Sequence, residues 1–319
     1  MRIGLDVLGG DFAPKATLHG AIMAQKQLPE SDRIVLIGDQ EIILAFLKEE
    51  KVFPDKFDIV DAPDLIEMDE QPIKALINKP NSSIAVGFRM LKHKEIHAFT
   101  SAGSSGAMMV GSIFSVNTIP GIIRPSTPGY IPKENGGSCV LIDVGTNPDS
   151  KADVMYQFGL LGSLFAENVF HVKNPRVGLL NIGSEEKKGD LNTQSAFQSM
   201  KDSKDYNFVG NVEGRELFRD NVDVIVCDGF VGNIVLKQIE AMYRVFLKRG
   251  VKDPYLDRFN YETYGGTPIL GINSTVLVGH GISNGTAIRN MILKSKEIHE
   301  AKLVQKIKHA LERYALNHV

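Results

Sequence analysis

The sequence predicts an α/β fold, a mostly parallel, Rossmann-like sheet in an α/β/α sandwich. Three observations carry this. Short runs of Ile, Val and Leu recur from end to end, each followed by an amphipathic, helix-like segment. The runs are nearly continuous rather than alternating, as in strands covered on both faces. They end in Gly, Asp, Ser or Asn, residues that turn a strand toward the next element.

RIGLDV (2–7), RIVLIGD (33–39), FDIVDA (57–62) and IHAFTSAG (96–103) read as the first strands. SCVLIDVGTN (138–147), RVGLLNIG (176–183), YNFVGNV (206–212), VDVIVCDG (222–229) and STVLVGHG (274–281) follow. Strands separated by helical segments favour parallel pairing. In IRPSTPGYIPKENGG (123–137), Pro and Gly cluster between helix and strand, so the segment reads as a weak break, a long active-site loop or a hairpin at the sheet edge. With no internal repeat, low-complexity segment or obvious linker, residues 1–319 are taken as one catalytic domain. The mixed aromatic, aliphatic and basic stretch 241–260 reads either as a projecting amphipathic tip facing anionic lipid or as a helix packed on a second copy.

Composition narrows the function classes. The chain is 43% hydrophobic, enough for a core of normal size, and 36 basic residues face 38 acidic ones, so no strong field favours nucleic acid. Cys139 and Cys227 lie inside apolar runs and read as reduced core thiols of a cytoplasmic protein. No Cys/His cluster has zinc spacing, so no metal is expected. MRIGLDV enters a strand directly, without a signal peptide, and glycine or charge breaks every apolar stretch well short of ~20 residues, so no membrane span is expected.

Ligands of open parallel sheets bind outside the carboxyl ends of the strands, where helix N-termini offer N–H groups to anions. LDVLGGDFAP supplies Asp6, Gly9, Gly10 and Asp11; Asp11 either caps the next helix or meets a substrate. TSAGSSGAMMVGS places Ser101, Gly103, Ser104 and Gly106 at a strand-to-helix turn, favouring a neutral anion cradle over helix close-packing. LIDVGTN contributes Asn147. NIGSEEKKGD offers Asn181, Gly183 and two lysines, and by its charge alone reads first as a solvated helix start. In CDGFVGNIVLK, Asp228 and Gly229 close a strand, and Gly232 and Asn233 are expected to open a long helix; the amide serves an oxyanion or a cap. YGGTPILGINS and GHGISNG add Gly265, Gly266 and His280, the last a base, a phosphate-orienting group or a structural histidine. GHGISNG misses the dinucleotide fingerprint by one residue and lacks a following βαβ unit, so no nicotinamide is expected.

Taken together, LDVLGGDFAP, FTSAGSSGAMM, LIDVGTN, PRVGLLNIGSEEKKG, NFVGNVEGRELF, VDVIVCDGFVGNIVLK, YGGTPILGIN and GHG have the order and approximate spacing of the phosphate acyltransferase family, PlsX, from Met1 to about Met291. The resemblance implies transfer of a fatty acyl group from acyl carrier protein to inorganic phosphate. The acyl phosphate would feed a membrane glycerol-3-phosphate acyltransferase. It also implies a fold related to phosphate acetyltransferases and isocitrate-dehydrogenase-like enzymes, no cofactor, a homodimer and peripheral attachment to the cytoplasmic membrane. By motif match it assigns catalysis to Lys188 and Asn233, which overturns the bland reading of the charged run. GHGISNG departs from the family's usual G-H-G-x-S-D. Rival readings are a short-chain phosphotransacetylase using acyl-CoA, a nicotinamide-dependent dehydrogenase and a non-catalytic scaffold of lipid metabolism.

Overall fold

The computed structural model describes residues 1–317. In chain order the strands are β1 (Arg2–Asp6), β2 (Arg33–Gly38), β3 (Asp58–Asp61), β4 (Ala98–Ser101), β5 (Pro128–Pro132), β6 (Ser138–Ile142), β7 (Arg176–Asn181), β8 (Asn207–Glu213), β9 (Val224–Val226), β10 (Thr267–Pro268) and β11 (Thr275–Val278). The helices are α1 (Lys15–Gln25), α2 (Gln40–Glu49), α3 (Pro72–Asn78), α4 (Ser83–Lys92), α5 (Ser105–Gly111), α6 (Ala152–Val169), α7 (Leu191–Met200), α8 (Gly229–Lys248), α9 (Tyr261–Tyr264), α10 (Gly285–Glu300) and α11 (Leu303–Asn317). Each of the nine apolar runs contains a strand.

Two compact units result: residues 1–118 with 261–300, and residues 119–260 with 301–317. The first holds a six-stranded sheet in the order β10-β11-β4-β1-β2-β3, the second a five-stranded sheet in the order β5-β6-β9-β7-β8. The strands therefore divide between two sheets rather than joining one. A run of Val and Ile signals a buried strand but does not name its neighbour. Pairing is parallel throughout except at one edge of each sheet, where β10 lies antiparallel to β11 and β5 to β6. The Pro/Gly-rich segment is thus a hairpin at the sheet edge. Prolines end β5 at both sides, which suits an edge strand with fewer ladder bonds to donate.

In the first unit α4 and α10 pack on β1 and β4, and in the second α6 and α8 pack on β6. Ile3, Leu5, Val35, Leu36 and Phe99 in the first unit, and Val140, Leu141, Val224 and Ile225 in the second, are fully buried. This double covering explains why their runs do not alternate. Strand β3, at the opposite edge, carries Asp58 and Asp61, charges that discourage pairing with another chain.

Each sheet is braced by an aspartate just before a strand. Asp32 precedes β2 and binds the Met1 ammonium at 2.6 Å and Lys296 Nζ at 2.5 Å. Asp223 precedes β9 and binds Lys133 Nζ at 2.5 Å and Arg176 Nε at 2.9 Å. Burial pushes the Asp223 carboxyl up, but the bonds from Arg176 and Lys133 outweigh it and hold the group at about 2. Among the described residues, no helix is long and apolar enough to cross a membrane.

Candidate active site

The carboxyl ends of β1, β4 and β11 lie side by side because these strands are neighbours. Their turns meet. Asp11 N donates to Gly281 O at 2.7 Å, and Gly10, at φ +110°, makes this turn in a conformation that L side chains rarely adopt. At the centre is Asp6, 1% exposed. Ser101 Oγ donates to its Oδ2 at 2.6 Å and accepts from Gly103 N at 2.9 Å. Leu8 N donates to Asp6 Oδ1 at 3.0 Å, and Ser83 and the Gly9 amide add further bonds. Burial pushes the Asp6 carboxyl up against the pull of these donors. Gly9 admits no side chain, since a Cβ there would lie 2.3 Å from Asp6 Oδ2.

Of the residues expected to cradle an anion here, the buried ones are engaged with one another. Ser104 Oγ accepts from Ala107 N and caps α5. Gly106 lies where α5 meets Pro72. Asp11 does not cap α1; Pro14 occupies that position, without a side-chain bond, because a turn through Asp11–Pro14 intervenes. Gly265 and Gly266 pack on Met291 of α10, and the His280 ring lies edge-on to Tyr261 at 5.1 Å.

The second unit has its own buried aspartate, Asp143, immediately after β6 and fully enclosed. Its Oδ1 accepts from Ser126 Oγ and Thr127 N, both at 3.0 Å. Its Oδ2 accepts from Asn147 N at 2.6 Å and Asn147 Nδ2 at 3.2 Å. Asn147 in turn takes the Gly229 amide on its carbonyl at 2.8 Å, joining this loop to the start of α8. Helix α8 begins at Gly229, capped by Asp228 Oδ1, which accepts from Val231 N at 2.8 Å. Gly232 and Asn233 therefore sit in the second turn rather than opening the helix, because Asp228 is the better cap. A Cβ at Gly232 would lie 1.9 Å from Asp143 O, so α8 is pressed against the loop at this point. The half-buried Asn233 side chain lies against Gly145.

The charged run 184–189 is a loop, and α7 starts after it with Asp190 as its cap. Three amides shape this loop. Asn181 Nδ2 donates to Lys188 O at 3.0 Å, Asn211 Nδ2 to Glu185 O at 2.9 Å and Gln194 Nε2 to Gly189 O at 2.9 Å. Gly183 leaves room for the Lys188 stem, since a Cβ there would lie 3.0 Å from Lys188 Cγ. The Lys188 side chain is 48% exposed, with Glu185 at 3.7 Å. Its backbone is thus fixed and its ammonium open to an incoming anion. Burial pushes the Cys139 thiol up to about 12 and raises that of Cys227 well above its ordinary value, so neither is a nucleophile near neutral pH. Among the described residues no group of three or more His, Cys, Asp and Glu is placed to hold a metal ion.

Sequence reasoning missed Asp143, Ser126, Thr127, Ser83, Asn211 and Gln194. For Asp143 a signal existed. Leu5-Asp6-Val7 and Ile142-Asp143-Val144 are the same pattern at the same place, an acid closing an apolar strand.

The family described as fatty acid synthesis protein matches residues 1–306. A phosphate acyltransferase of Endomicrobium trichonymphae is 39% identical over 337 aligned positions, covering 98% of both chains. The chain belongs to the phosphate acyltransferase family. Another phosphate acyltransferase, from Caldicellulosiruptor bescii, is 41% identical and covers 97% of both chains. The solved EutD phosphotransacetylase of Staphylococcus aureus shares the fold, with TM-score 0.64 over 94% of both chains at 13% identity. The phosphate acyltransferase signature thus spans both units, and both buried aspartates lie within it.

Proposed function

We propose that this chain transfers a fatty acyl group from acyl carrier protein to inorganic phosphate, with Lys188 and Asn233 as its catalytic residues. Family membership carries the coarser part: the chain is an acyltransferase, and its acceptor is phosphate. The position of Lys188 supports the finer part. A flexible cation at the carboxyl end of β7 is held at its backbone by Asn181, and its loop is held by Asn211 and Gln194.

A phosphate oxygen attacks the thioester carbonyl carbon. The carbon–sulfur bond breaks, the carrier's thiolate leaves and takes up a proton, and the product is an acyl phosphate. Phosphate is itself the nucleophile, so the protein must hold a dianion against a carbonyl and stabilise the oxyanion that develops. Lys188 offsets the charge of phosphate and of the tetrahedral species, and the Asn233 amide donates to the carbonyl oxygen. The enzyme works in the cytoplasm as a homodimer and hands acyl phosphate to a membrane acyltransferase.

The test is acyl phosphate formation by the purified protein from palmitoyl-[acyl carrier protein] and phosphate, with acetyl-CoA in parallel. Activity with the carrier-protein donor alone is the expected result. Activity with acetyl-CoA alone would make it a short-chain phosphotransacetylase.

A further inference from the structure

The loop that carries Lys188 also carries an anion of its own. Lys188 N donates to Glu185 O at 3.1 Å, closing a tight turn, and Asn211 Nδ2 holds the same carbonyl. This turn brings the two side chains together, with Glu185 Oε1 3.7 Å from Lys188 Nζ. Both lie over Gly183. A Cβ there would stand 2.8 Å from Glu185 Oε2, 3.0 Å from Lys188 Cγ and 3.3 Å from Lys188 Cδ, so only glycine leaves the pair in place. The next acid of the run goes elsewhere: Glu186 Oε2 lies 3.8 Å from Lys201 Nζ. The Glu185 pair is too long for a hydrogen bond, and the Glu185 side chain is 67% exposed, so little holds the carboxylate where it is. A phosphate approaching Lys188 therefore meets an ammonium already paired, and the two anions repel each other over it.

We propose that Glu185 is a tethered stand-in for phosphate: its carboxylate occupies the Lys188 ammonium in the resting enzyme and gives way when phosphate binds. Glu185 is thus a positioning residue that acts through Lys188. It sets the affinity for phosphate rather than the rate of acyl transfer. The inference rests on the reading of Lys188 as the residue that meets phosphate.

Glu185→Gln keeps the shape of the side chain and removes its charge. It should lower KM for phosphate about five-fold, the scale of one exposed ion pair, with kcat and KM for the acyl donor little changed. Calorimetric titration with inorganic phosphate, in the absence of acyl donor, should show binding tightened by the same factor. Glu186→Gln makes the same change in net charge on the same loop and should leave KM for phosphate unaltered, because its carboxylate faces Lys201. An unmoved KM for phosphate in Glu185→Gln, or a fall in kcat alone, would overturn the proposal. An equal shift in Glu186→Gln would also overturn it, since the general charge of the loop would then be the cause. In each of these cases an inactive Lys188→Ala beside an active wild type would leave the acyl-transfer reading standing. A folded, active Lys188→Ala would overturn both.

Discussion

The two units share a plan and differ at one rim. Each has an aspartate before a strand bound to two cations, Asp32 in one and Asp223 in the other. Each has a buried aspartate closing a strand, Asp6 or Asp143, on which hydroxyls and amides converge. The first unit's rim is then filled by glycines and short side chains bonded to one another. The second carries an exposed lysine on a loop braced by three amides, and a half-buried amide beside a glycine. The same scaffold thus supports a closed, shape-defining rim in one unit and a rim with accessible polar groups in the other. The buried aspartates are framework, and the chemistry is expected where the framework leaves donors exposed.

The sharpest way to break this contrast is at Lys188. Lys188→Ala should lower turnover by about 100- to 1000-fold while the melting temperature stays within experimental scatter, because the side chain is exposed. A folded, nearly fully active variant would remove the second rim's claim to the chemistry. Next in size is the ionic brace. Asp223→Ala leaves Lys133, itself 4% exposed, with only the half-exposed Asp220 carboxylate, at 3.0 Å, as its ion partner, and should cost about 3 kcal/mol in urea unfolding. An unchanged midpoint would mean the brace contributes nothing.

A smaller effect is expected at Asn211, which holds the Lys188 loop without meeting substrate. Asn211→Ala removes one hydrogen bond, worth about 1 kcal/mol, and should lower kcat roughly five-fold with KM for phosphate little changed. Asn211→Asp, which cannot donate to the Glu185 carbonyl, should not restore it; a rescue would exclude the proposed bond. The mildest test is titration. The Asp223 carboxyl, held at about 2, lies below its unfolded value of roughly 3.9, so it binds protons more weakly in the folded state. Its stabilisation is complete above about pH 4 and is lost as pH falls toward 2. Asp223→Asn should therefore flatten the acid limb of the unfolding midpoint against pH, and an unaltered limb would contradict the assignment.

Much of this was legible in the residues. The nine apolar runs marked nine strands because burial on both faces leaves no alternation to confuse. Strand β10 escaped notice because two residues, one a proline, carry no pattern. The division into two sheets escaped because pairing depends on contacts far apart in sequence, such as Ile3 beside Ala98. At the site, glycines and strand-end acids announced the turns. The roles of individual donors did not show: Ser101 and Asn147 looked free to meet a ligand, yet each is bonded to a neighbouring aspartate. Asn211 gave no signal, since one amide in the middle of a strand resembles any other polar residue. Lys188 was named by motif match alone; in the structure its stem lies beside Gly183.

The contact between Gly232 and the Asp143 carbonyl has a further consequence. Twenty residues make α8 a rod about 30 Å long, anchored near one end by that contact and open along much of its remaining length. Such a rod is a lever with its fulcrum one residue from Asn233. Small tilts at the Lys248 end become far smaller displacements at the Asn233 amide, so the outer part of the helix can move while the amide keeps its place.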